Sequence, residues 1–62
     1  MKLTCKTIRD LINLRDELGL TALSIDHQLH SYVRLVWASG ESQEFSEDDV
    51  TGMERYLRSC DG

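Results

Sequence analysis

Sixty-two residues make one small domain spanning residues 1–62, and a chain this short buries only about 60% of its unfolded surface, so its core is marginal. Two cysteines, Cys5 and Cys60, are too few for a disulfide framework, no apolar run approaches the roughly 20 residues of a membrane span, and a net charge of −4 disfavours non-specific binding to phosphate backbones. The opening Met1-Lys2-Leu3-Thr4 lacks the apolar core of a secretory signal, so a cytoplasmic protein with reduced thiols is expected.

Met1–Lys6 alternates apolar and polar residues and reads either as a short extra N-terminal strand or as a backward extension of the next helix. A helix start near Thr7 is preferred, because Thr7-Ile8-Arg9-Asp10 has capping-box spacing. Ile8–Leu18 follows as a helix with Ile8, Leu11, Ile12 and Leu18 on one side and Leu14 at its edge. Gly19 suits the left-handed position that ends a helix, and Leu20 can fold back on it. Arg15 interrupts the apolar face.

Thr21–Asp26 alternates with period two, Leu23 and Ile25 sharing a face, and reads as a strand. Asp26–Ser31 is polar and connects it to Tyr32–Ala38, the run richest in β-branched and aromatic residues. There Val33, Leu35 and Trp37 point one way, and Tyr32, Arg34 and Val36 the other. Ser39-Gly40-Glu41-Ser42 is a turn, and Gln43-Glu44-Phe45 returns as a third strand. Ser46 is read as the N-cap of a second helix with Asp49 completing a box and three acids in the first turn. Along that helix Val50, Met53, Leu57 and Cys60 form a stripe flanked by Tyr56, and Gly52 is a mid-helix cost of about 1 kcal/mol. The expected fold is α+β: a two-layer sandwich ordered helix, three-stranded antiparallel meander, helix.

The chemistry-bearing residues are sparse. His27 and His30 with Cys5 and Cys60 could supply four zinc ligands, but structural zinc sites bring their thiols in closely spaced pairs, so solvated loop histidines are the better reading. Cys60 is read as a small buried hydrophobe of the second helix. No phosphate loop, nucleophile elbow or metalloprotease helix occurs, and a chain this size leaves little volume for a ligand pocket. Neither enzymatic activity nor a cofactor or metal is expected.

Charge is uneven: from Glu41 to Glu54 there are six acids (Glu41, Glu44, Glu47, Asp48, Asp49 and Glu54) and no base. Three of them suit a helix N-terminus, and the rest read as solvated turn and strand acids. Arg15 is read as a side chain whose methylenes cross the core edge while its guanidinium reaches Asp26 or the Glu44–Asp49 cluster. Its other reading is an interface arginine.

The expectation is a non-catalytic protein–protein interaction module, an accessory or regulatory protein of the phage or mobile-element kind. It would self-associate, as a homodimer, or bind another protein. Its surface would be Tyr32, Arg34 and Val36, with Arg15, Glu41, Glu44, Glu47 and Asp48. The alternatives are a nucleic-acid-linked regulator using Lys2, Lys6 and Arg9, and an acidic inhibitor competing for a basic site.

Overall fold

Leu11, Leu14, Leu23, Val33, Leu35, Met53 and Leu57 close into one buried cluster, and the elements that carry them are those the patterning predicts. The computed structural model describes residues 2–60. They run α1 (Ile8–Glu17), β1 (Leu23–Asp26), β2 (Tyr32–Trp37), β3 (Ser42–Ser46) and α2 (Val50–Cys60). The sheet is an antiparallel meander ordered β1-β2-β3, and both helices contribute to the cluster on its inner face. The fold is α+β.

Local chemistry sets most boundaries. Thr7 caps α1 through a complete box: its side chain accepts from the Asp10 N–H, and the Asp10 side chain accepts from the Thr7 N–H. At the other end the Gly19 N–H donates to the Asp16 carbonyl and the Leu20 N–H to that of Arg15. Gly19 is left-handed at φ 74°. This pair of bonds is the Schellman closure, and Leu20 packs against the core as that motif favours.

Several expectations need correction. Residues 2–6 form no strand; Met1 lies outside the described residues. Within α1, Leu14 is buried at the centre with Leu11, while Ile12 is only half-buried. The apolar face is therefore turned toward Arg15. Ser46 does not cap α2. It is the last residue of β3, and its carbonyl accepts from the Asp49 N–H in a tight turn holding Glu47 and Asp48. The cap is Asp49, whose carboxylate accepts from the Gly52 N–H at 3.1 Å. Ser46 and Asp49 are both residue types that suit an N-cap, and pairing with Tyr32 of β2 claims Ser46 for the sheet.

This also explains Gly52. It sits in the first turn, and a Cβ there would press into the Asp49 carboxylate, 2.8 Å from its carboxyl carbon. The glycine leaves room for the cap.

Trp37 is half-buried rather than central; its indole N–H donates to the Tyr56 hydroxyl at 2.6 Å, and Tyr56 stacks obliquely on Phe45 at 5.8 Å. The β1–β2 connection ends on Ser31, which is left-handed at φ 65°.

Candidate functional site

The outer sheet face follows from the strand register. Asp26, Arg34 and Glu44 stand in one row across the three strands, Ser24, Val36 and Ser42 in the next, and Tyr32 faces Ser46. Arg34 is the centre of this face. Its guanidinium donates to Glu44 at 3.0 and 3.3 Å and to the Tyr32 hydroxyl at 3.3 Å, and its carbon lies 5.7 Å from the Tyr32 ring centroid. The Glu44 hydrogen bond, with the nearby charges, holds Arg34 protonated even more firmly than usual. Arg34 therefore stands between Tyr32 and Val36, which do not merge into one apolar patch. A shallow depression of about 500 Å³ opens beside them, lined by Tyr32, Glu44, Phe45 and Ser46.

The two sheet edges differ. Antiparallel ladders alternate residues that bond the partner strand with residues whose backbone groups point away. On β1 the Ala38 N–H donates to the Ala22 carbonyl, which sets the alternation so that Leu23 and Ile25 face outward. The outward groups of Leu23 are occupied: its N–H donates to the Leu20 carbonyl at 3.0 Å, and its carbonyl accepts from the Arg15 guanidinium at 3.1 Å. Arg15 is held in turn by Asp16 at 2.9 Å. Its partners are thus Asp16 and a strand carbonyl, in place of the Asp26 or Glu44–Asp49 acids expected.

On β3 the Trp37 N–H bonds the Glu41 carbonyl and the Glu47 N–H bonds the Ser31 carbonyl. The residues facing outward are then Ser42, Glu44 and Ser46. Ser42, Glu44 and Ser46 are exposed, and among the described residues the backbone groups of Ser42 and Glu44 have no partner beyond the sheet. The acids Glu41, Glu44, Glu47 and Asp48 lie along this border. The Ser46 hydroxyl donates to Asp48 and holds its carboxyl below the usual range. The expected surface therefore splits: Tyr32, Arg34, Val36 and the four acids lie on the outer face and the β3 side, while Arg15 belongs to the far edge.

Glu54 overturns its reading as a solvated acid. It is fully buried, and its carboxylate accepts from the Thr4 N–H at 3.0 Å, the Cys5 N–H at 2.8 Å and the Arg58 guanidinium at 2.8 Å. Burial by itself would push this carboxyl up. The two backbone donors and Arg58 outweigh it and hold the carboxyl below the usual range. A carboxylate accepting several N–H bonds behaves this way.

Cys5 packs on the core, and its thiol is pushed up to about 11 by burial and by the neighbouring Glu54 charge. Cys60 is half-exposed and lies outside the core cluster, contrary to expectation. An open groove of about 620 Å³, larger than a chain this size suggested, runs beside the latch that Glu54 forms by tying Thr4 and Cys5 to α2. Thr4, Cys5, Asp10, Asn13, Asp16 and Arg58 contribute to its walls.

His27 and His30 are exposed in the β1–β2 connection. Among the described residues no group of three or more His, Cys, Asp or Glu side chains is placed to hold a metal ion, and no helix is long and apolar enough to cross a membrane. No family model, curated protein or solved structure matches this chain, so the reading of its surfaces rests on their geometry.

Proposed function

We propose that this chain is a small non-catalytic protein-binding module, accessory or regulatory in role, that engages a basic surface of another protein. The observation that carries the reading is the placement of both helices on one side of the sheet. Tyr32, Arg34, Val36 and the acids Glu41, Glu44, Glu47 and Asp48 are left outside the core. A polar face with an aromatic and an arginine at its centre suits a non-obligate interface, whose rim is charged. The separation of Tyr32 from Val36 by Arg34 argues against a purely apolar homodimer contact.

The test is capture from the native host with wild-type protein, Tyr32→Ser and Glu44→Lys, with light scattering on each. The expected result is a partner held by the wild type, weakened by salt and lost in both variants while their melting temperatures stay close to wild type. A monomer whose captured proteins are the same in all three would overturn the proposal.

A further inference from the structure

We infer that β3 is a docking edge, taking up an extended basic segment of the partner as a fourth strand. This rests on the protein-binding reading above and specifies its mode. An exposed edge is a template for strand addition, in which main-chain bonds hold the segment and alternate side chains select it. The two edges of this sheet are unequal. Arg15 and Leu20 occupy the outward backbone groups of Leu23 on β1 and leave Ile25 as that edge's single open residue among the described residues, whereas the consecutive outward residues Ser42 and Glu44 on β3 both present theirs to solvent.

Charge decides the occupant. Two copies pairing antiparallel through β3 about its middle residue would set Glu44 opposite Glu44 and bring Glu41 near Glu47. Like charges directly opposed destabilise a pair. A segment carrying lysine or arginine meets the same acids favourably. Strand periodicity then fixes its pattern. The residue opposite Glu44 has its side chain on the outer face and is basic. The residues beside Gln43 and Phe45 lie on the inner face, where half-buried Phe45 rests on Tyr56, and one of them is apolar. The segment thus alternates basic and apolar residues.

The experiment titrates isotope-labelled protein with a short capped peptide alternating lysine and valine, with its glutamate–valine counterpart, and with the lysine–valine peptide N-methylated at its lysine amides, the ones that bond the edge when lysine stands opposite Glu44. The expected result is slowed amide exchange at Ser42 and Glu44 with the lysine–valine peptide, and binding weaker by about tenfold or more after N-methylation. Glu44→Pro removes an outward N–H without touching the ladder to β2, and Ser42→Pro does the same at the first residue of the strand, where proline is tolerated. Either variant, once its amide spectrum shows the native fold, should lose the peptide. Equal binding by the methylated peptide, retained binding in both proline variants, shifts confined to Tyr32 and Val36, equal binding of the acidic peptide, or no binding at all each overturns strand addition. The capture experiment with Tyr32→Ser reads the protein-binding proposal separately, so failure of strand addition alone is distinguished from failure of that reading.

Discussion

Glu54 shows how much one side chain can do beside a core that, among the described residues, holds seven buried apolar side chains. It joins the N-terminal segment to α2, because Thr4 and Cys5 lie about fifty positions away in the chain and both donate to it. Removing one partner of a buried hydrogen-bonded pair costs about 3 kcal/mol or more, a large fraction of the stability of a domain this small. Glu54→Ala should therefore melt far below wild type, and Glu54→Gln, which keeps an acceptor oxygen, should lose less. Acid has the same effect. The folded carboxyl titrates below its unfolded value, so its contribution is present above about pH 4.3 and fades as pH falls through the folded value. Thermal melts between neutral and strongly acidic pH should show a steeper acid loss in wild type than in Glu54→Gln; parallel curves would count against the latch. The neighbouring thiol gives a second check. With Cys5 raised from 9.0 to about 11, its thiolate population near neutral pH is about a hundredfold below that of an ordinary thiol. Alkylation followed by mass spectrometry should find Cys5 slow in native protein and fast in urea.

At the scale of elements, the boundary between β3 and α2 is set by competition between two caps. Serine and aspartate both suit an N-cap, and a sheet pairing resolved the choice in favour of Asp49. Gly52 then has a packing reason that its propensity conceals. Gly52→Ala should bring little gain, since the about 1 kcal/mol of helix propensity is offset by crowding the Asp49 cap. In an Asp49→Ala background the same change should stabilise by about that amount. A double-mutant cycle in urea measures the difference, and additive effects would refute the coupling. The β1–β2 connection offers the opposite case. Ser31 holds a left-handed backbone that asparagine adopts more readily, so Ser31→Asn should raise the melting temperature by a few degrees, on the order of 0.5 kcal/mol.

For the whole molecule, the arrangement is an asymmetric sheet, capped at Leu23 on β1 and open along Ser42 and Glu44 on β3, with its helices on one side. Arg15 caps Leu23 on the first edge, across eight residues of sequence. Arg15→Ala should cost about 1–2 kcal/mol, since a hydrogen bond from a charged group is lost and a strand carbonyl is exposed. Binding through β3 should be unaffected, and a variant that lost binding without losing stability would return Arg15 to the interface. Much of this architecture was legible from residues alone. The helix of Ile8–Glu17, the three strands and their order follow from local chemistry: the Thr7–Asp10 box, the glycine stop at Gly19, and apolar periods of 3.6 and two. The same alternation placed Tyr32, Arg34 and Val36 opposite Val33 and Leu35. What tertiary structure alone decided are matters of partnership. Whether Glu54 is solvated or buried depends on backbone donors at the far end of the chain. Which strand carbonyl Arg15 meets, and that it reaches no acid of the Glu44–Asp49 run, depends on where α1 lies against β1. Which backbone groups of β3 face outward depends on ladder alternation set by its pairing with β2. Sequence patterns report a residue's own preference for water or apolar surroundings; the opposing group that satisfies a buried charge, or leaves an edge open, is supplied by the fold.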